Sequence, residues 1–249
     1  MTPRAVLFDL DETLAESKQP ITDSMANLLV RLLDATNVAV TSGQKYELVH
    51  AHTAGRLPSH ANLERLHLLP NCGAGLFLYT DGSWSAGYKN DFSEEEFDSI
   101  KAIIEAAMDE TGIIDRHSPS YGDRIEHRGP SVALSALGQT APLEEKLAWD
   151  PSHEKRSLLR EAIAAKLEGF DVRTGGSTSF DVTRPGIDKA YGVRKLSEHL
   201  SIPISDMLYI GDALFPGGND EVVKTTGIET RATSGPFETA RIIEELLER

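Results

Sequence analysis

Asp9, Asp11 and Glu12 crowd into four consecutive positions where the apolar run of AVLFDLDETL (residues 5–14) ends. Like charges this close repel, and partial desolvation at a strand end penalises their ionised forms further. Solvent or a positively charged partner must offset that cost. Asp212 ends a second apolar run, DMLYIGDA (206–213), and Thr41 and Ser42 end a third, NVAVTSG (37–43). Adjacent in space, Asp9, Asp11 and Asp212 would form an all-oxygen site for a hard divalent cation. Mg²⁺ fits best, because it takes few carboxylates and keeps water and substrate phosphate as its other ligands.

Such residues meet only if the right elements carry them. In open parallel sheets, ligands sit beyond the carboxyl ends of the strands. Residues 4–10 read as a strand and 22–34 as a helix with Leu28, Leu29, Leu32 and Leu33 on one face. After the run at 37–43 come helical stretches near 44–53 and 60–68, then an apolar run at 74–80. This alternation argues for a parallel sheet with helices on both faces. The character changes after the turn-rich YTDGSWSAGYKN (79–90). Residues 93–110 form a helix candidate with Ser93 as N-cap and acidic residues in the first turn. Two hairpins are expected, at 123–138 around RGP and at 170–182 with Gly175–Gly176 at the turn, with a helix at 152–168 between them. From Gly186 the alternating pattern returns, with a helix at 188–199, strands in DMLYIGDA and GIETRA, and a last amphipathic helix at 236–248. The fold expected is α/β: a Rossmann-like parallel-sheet core made from residues 1–83 and 187–249, with an α+β insert over 84–186. A cleft between two such modules is a natural ligand site.

Composition narrows the partners. Lys and Arg total 25 against 39 Asp and Glu, a formal net charge of −14 over 249 residues. Nucleic acid requires a basic face, so it is not an expected partner. Small anionic substrates remain compatible, since a metal or a few converging cations reverse the sign locally. Cys72 is the one cysteine, so no internal disulfide forms, which suits a reducing cytoplasm. No run approaches the roughly 18 apolar residues of a membrane span, and the start lacks a signal peptide's apolar stretch. The eight histidines show no metal-ligand spacing, and His127 and His153 read as surface residues.

DLDET resembles the DxDx(T/V) signature of the haloacid dehalogenase-like superfamily of phosphotransferases. Ser42 resembles its second motif, Lys189 its third and GDALFPGGND (211–220) its fourth, in the expected order. The insert resembles the larger α/β cap of type IIB, the substrate-specificity domain. Within it, IEHRGPSVALSALGQTAPLEEKLAW and RTGGSTSFDVTRPGIDKAYG are similar to the eukaryotic-type phosphomannomutases, a likeness covering most of the chain.

The resemblance implies Mg²⁺-dependent phosphoryl transfer from a small phosphorylated sugar. Asp9 would attack phosphorus and become an aspartyl-phosphate. Mg²⁺ and Lys189 would neutralise the phosphoryl oxygens. Asp11 would protonate the leaving oxygen and later deprotonate the incoming hydroxyl or water. Thr13 and Ser42 would offer hydroxyl donors to the phosphoryl group. Asp9, Asp11, Asp212 and Asp220 would be the metal set. In the cap, Arg128 would contact phosphate or sugar, and Ser179 and Asp181 sugar hydroxyls. The cap would move on hinges near 82–90 and 184–187, and pairing through caps would give a homodimer. Three positions depart from the family, which has arginine where this chain has Lys18, Gln139 and Lys146. Lys18 and Lys146 remain candidate substrate-binding cations. Arginine forks bind phosphate bidentately, lysine gives a compact charge and glutamine none. A mutase must hold a distal phosphate while the other transfers, so the weakened grip favours a sugar-phosphate phosphatase. The alternative is a phosphomannomutase interconverting hexose 6- and 1-phosphate; a third reading is a catalytically silent sugar-phosphate binder.

Overall fold

A computed structural model describes residues 3–174 and 177–248. The elements begin with β1 (Ala5–Asp9), α1 (Asp23–Ala35), β2 (Asn37–Thr41), α2 (Tyr46–His52), β3 (Leu66–Leu69), the single turn α3 (Pro70–Gly73), β4 (Gly75–Thr80) and β5 (Ser83–Lys89). There follow α4 (Glu94–Thr111), β6 (Ile125–His127), β7 (Ser131–Ser135), α5 (Leu143–Trp149), α6 (Glu154–Ala164), β8 (Asp171–Thr174) and β9 (Ser179–Thr183). The series ends with α7 (Lys189–Leu200), β10 (Met207–Gly211), β11 (Glu229–Ala232) and α8 (Pro236–Leu247). Two units divide the chain: Met1–Lys89 with Ile187–Arg249, and Asn90–Gly186. Among the described residues, no helix is long and apolar enough to cross a membrane.

In the first unit, all five residues of β1 are buried, because helices cover both faces of the sheet. Val6 and Phe8 pack on one side with leucines of α1 and with Ile242 and Ile243 of α8. Ala5 and Leu7 pack on the other with Val193 and Leu196 of α7. The sheet order is β11-β10-β1-β2-β3-β4-β5. The pairs from β11 through β3 are parallel. β4 and β5 add an antiparallel edge to the expected parallel sheet, a first correction, since the sequence reading contains no such edge. A second correction is β3, read from sequence as part of a helix over 60–68. Four residues, LHLL, are too few for periodicity to separate strand from helix. A third concerns residues 84–89, assigned to the insert but forming most of β5 and pairing with β4. Thr22 caps α1 by accepting from the Met25 N–H at 3.2 Å, which fixes where the chain turns after β1 and its loop.

β3 also buries an imidazole. His67 is 4 % exposed, its Nε2 lies 3.3 Å from Asn37 Oδ1, and its ring centroid is 6.4 Å from that of His199. Burial, with a smaller contribution from His199, lowers its pKa from 6.5 to about 4. The unfolded chain therefore binds this proton more tightly than the native state does. Stability is full above pH 6.5 and drains as pH falls from there toward about 4, by up to about 3 kcal/mol. Urea unfolding followed across that window should show this loss, and His67→Gln should flatten it.

The second unit is an antiparallel sheet, order β6-β7-β9-β8, over which α4 and α6 pack. Ile100, Ile104, Leu159 and Ile163 meet Phe180 and Val182 there. Ser93 caps α4 in a reciprocal box with Glu96, and Gly112 ends the helix left-handed, φ 61°. Both expected hairpin strand pairs form, β6 with β7 and β8 with β9, and the pairing of β7 with β9 joins them into one sheet. The turn placed at Gly175–Gly176 lies outside the described residues. His127, read as a surface residue, is half-buried: its ring stacks on Phe97 with centroids 4.9 Å apart, because its strand position turns it toward α4. His153 is exposed, before α6.

Candidate active site

Asp9 is the last residue of β1 and 4 % exposed. Its Oδ1 lies 2.8 Å from Lys189 Nζ. Lys189 opens α7, where the helix dipole disfavours a cation. Asp188 caps that helix through the Tyr191 N–H at 2.8 Å, and Lys189 turns inward to Asp9 and to Asp220 Oδ1 at 2.6 Å. Burial raises the Asp9 carboxyl, the Lys189 charge lowers it and Asp220 raises it, with the net result up to about 7. Burial alone would lower the Lys189 ammonium, but Asp9 and Asp220 together raise it above the ordinary lysine value.

Asp220 is fully buried and committed on both oxygens. Oδ1 accepts from Lys189 and from the Tyr209 hydroxyl at 2.6 Å, and Oδ2 accepts from the Ala213 N–H at 3.1 Å. Expected as a metal ligand, it also holds Lys189 and the loop after β10, using three of the roughly four acceptor sites of a carboxylate. Tyr209 was not singled out in the sequence; the available signal was a tyrosine inside a buried strand, which needs a partner for its hydroxyl. Gly211 is required here, since a Cβ would run into the Asp220 carboxylate and come 2.9 Å from the Tyr209 ring.

Asp212 is half-buried beyond β10. The Thr13 hydroxyl donates to its Oδ1 at 3.3 Å and accepts its N–H at 3.1 Å. Thr13, expected to face the phosphoryl group, is fully buried and instead ties the loop after β1 to the loop after β10. Each of Asp9, Asp212 and Asp220 places a carboxylate oxygen within 4.8 Å of those of the other two. Three hard oxygen donors, two of them on buried residues, carry more negative charge than Lys189 neutralises. That donor set fits a hard divalent cation.

The Asp11 carboxylate stands outside that group, which corrects its place among the metal ligands. Its oxygens accept from Gln44 Nε2 at 3.0 and 2.8 Å, from the Lys18 N–H at 2.7 Å and from the Ser42 hydroxyl at 3.4 Å. Glu12 adopts a left-handed φ of 57° and accepts the Ser17 N–H at 2.9 Å. Asp11 and Glu12 thus clamp the loop that returns toward α1, which accounts for two of the three crowded carboxylates. Lys18, also left-handed at φ 59°, gives its backbone N–H to Asp11 while its side chain is exposed. Ser42 is fully buried and its Oγ also accepts from the Gln44 N–H at 3.1 Å.

The loop after β2 is fastened by the turn after β3. Asn71 and Cys72 take φ values of 50° and 56°, and Gly73 one of 86°. The Asn71 N–H donates to the Gln44 carbonyl at 2.9 Å and the Cys72 N–H to the Ser42 carbonyl at 2.8 Å. A Cβ on Gly73 would fall 2.6 Å from the Gly192 Cα, so this turn and α7 touch backbone to backbone.

In the second unit, alternation along β9 buries Phe180 and Val182 and leaves Ser179 and Asp181 on the opposite face. Arg128 reaches that face: Nε is 2.7 Å from Glu126, Nη1 is 3.8 Å from Asp181, and Nη2 donates to Gln139 Oε1 at 2.9 Å. Lys146 Nζ donates to the Gln139 carbonyl at 3.1 Å. Burial raises the Asp181 carboxyl, and Arg128 moderates the rise. Arg128, Gln139, Lys146 and Asp181 are therefore one cluster, with Ser179 two residues from Asp181 on β9.

Comparison with known proteins bears on the family and the fold. The family profile of eukaryotic phosphomannomutases matches residues 78–249. Phosphomannomutase 1 of Dictyostelium discoideum is 27 % identical over 250 residues, covering 96 % of this chain and 95 % of that protein. A haloacid dehalogenase-like hydrolase from Bacteroides thetaiotaomicron superposes with a TM-score of 0.67 at 16 % identity, covering 98 % of this chain and 99 % of the other. The IMP-nucleotidase of Plasmodium falciparum superposes with a TM-score of 0.66 at 18 % identity, covering 99 % of this chain and 68 % of the other. The last two share the fold.

Proposed function

The chain belongs to the eukaryotic phosphomannomutase family, enzymes of the haloacid dehalogenase-like phosphohydrolase and phosphomutase type, and we propose that it removes phosphate from a small phosphorylated sugar through Asp9. In the first half-reaction an Asp9 oxygen attacks phosphorus, the ester P–O bond breaks, and Asp11 gives its proton to the departing sugar oxygen. In the second, Asp11 takes a proton from water as the water oxygen attacks the aspartyl-phosphate, releasing inorganic phosphate and Asp9. Lys189 balances charge beside Asp9 in both. Asp9 and Asp212 would hold Mg²⁺, with Asp220 adding charge behind them; when bound, the ion supplies charge neutralisation at the phosphoryl oxygens.

Hydrolysis is favoured over transfer between sugar positions by the state of Arg128. Its guanidinium already engages Glu126, Gln139 and Asp181, and Gln139 presents it with an acceptor where the family has a second guanidinium. A distal phosphate would compete with two carboxylates for a single fork. The mutase reading has its own support, since the family profile spans the whole second unit. Mannose 1-phosphate supplied with a catalytic amount of hexose 1,6-bisphosphate separates the two. We expect inorganic phosphate to accumulate in proportion to substrate consumed. Accumulation of mannose 6-phosphate without phosphate release would establish the mutase instead.

A further inference from the structure

We propose that Gln44 is a positioning residue for Asp11, setting the orientation in which that carboxyl exchanges protons. The inference rests on phosphoryl transfer through Asp9 with Asp11 as acid and base. Gln44 Nε2 donates to both Asp11 oxygens, at 3.0 and 2.8 Å, and so fixes the direction in which the carboxylate points. The Lys18 N–H reaches Oδ1 and the Ser42 hydroxyl Oδ2, so neither alone does this. Gln44 is itself held at both ends of its backbone, its N–H on Ser42 Oγ at 3.1 Å and its carbonyl receiving the Asn71 N–H at 2.9 Å.

The amide leaves a mark of its task. Gln44 Oε1 is buried and has no hydrogen-bond partner among the described residues. An unpaired buried acceptor is destabilising, and turning the amide would be worse, since Oε1 would then face two carboxylate oxygens. The orientation is dictated by Asp11. Nothing else in the loop requires a glutamine there.

A leaving group that departs unprotonated does not need the acid, whereas a sugar alkoxide does. Gln44→Met keeps the length and volume of the side chain and removes the amide. In single-turnover experiments, phosphorylation of Asp9 by a hexose phosphate should slow about 10- to 100-fold, a fraction of what a general acid contributes. Phosphorylation by 4-nitrophenyl phosphate, read from the nitrophenolate burst, should change less than about threefold. Equal losses with both esters, or no loss with either, would overturn the proposal. Gln44→Glu, which presents Asp11 with an acceptor at the same length, must show the same split if Gln44→Met does not fold. Absence of turnover of both esters by the wild-type protein would instead overturn the reading on which the inference rests.

Discussion

Asp9→Asn lowers turnover of every phosphate ester by about a thousandfold or more, because a carboxamide cannot form the covalent phosphate that splits the reaction into two steps. The substitution leaves the surroundings intact, since the asparagine oxygen still accepts from Lys189, 2.8 Å from Oδ1 in the wild type. It also relieves a strained charge. Burial and Asp220 hold the Asp9 carboxyl up to about 7, so a neutral residue costs the fold nothing there. The melting temperature should therefore equal or exceed that of the wild type while activity disappears. Steady-state release of phosphate and a thermal melt check both halves. Retained turnover would place the nucleophile elsewhere, and a silent wild-type protein would favour the binder.

Lys189→Met should behave in the opposite way toward stability. Its ammonium, 2 % exposed, is shared by Asp9 and Asp220, and nothing in methionine replaces it. Removing one partner of a buried pair costs about 3–5 kcal/mol, because an uncompensated charge remains. Asp220 keeps its charge buried, while Asp9, already held up to about 7, sheds its own by taking a proton, so the lower end of that range applies. Turnover should also fall by about a thousandfold, since an attacking carboxylate then approaches the phosphoryl oxygens without its balancing cation. Urea unfolding and ester hydrolysis measure the two effects. Asp9→Asn/Lys189→Met should recover part of the stability and none of the activity.

Much of the site was legible because its residues terminate apolar runs. Asp9, Thr41, Ser42 and Asp212 all follow buried strands, and β1 pairs with both β2 and β10. What the sequence could not supply was the direction of each side chain. Asp9 ends β1 and Asp11 lies two residues on in the loop, yet the first joins the carboxylate group and the second turns to Gln44. Thr13 shows the same limit, because a hydroxyl fits a phosphate or a neighbouring loop equally well by type. Tyr209 and Gln44 were missed since each acts through another residue, so neither belongs to a motif. In the fold, β3 and β5 were the losses. LHLL is too brief for its period to speak, and SWSAGYK carries the glycine and serine of a turn while forming an exposed edge strand.

The interleaving of the two chain ends has a consequence for synthesis on the ribosome. β1 takes its partner on one side from β2, a few dozen residues later, but on the other from β10, with Ala5 opposite Met207. The stretch Asn90–Gly186 has all its strand partners within itself and can close while the last part of the chain is still being made. Until residue 207 emerges, the side of β1 that β10 will occupy is an open edge, the kind of surface on which nascent chains stick to one another. A premature stop between Gly186 and β10 therefore leaves a folded fragment joined to an aggregation-prone half-sheet, and chaperone demand should concentrate on that interval of translation.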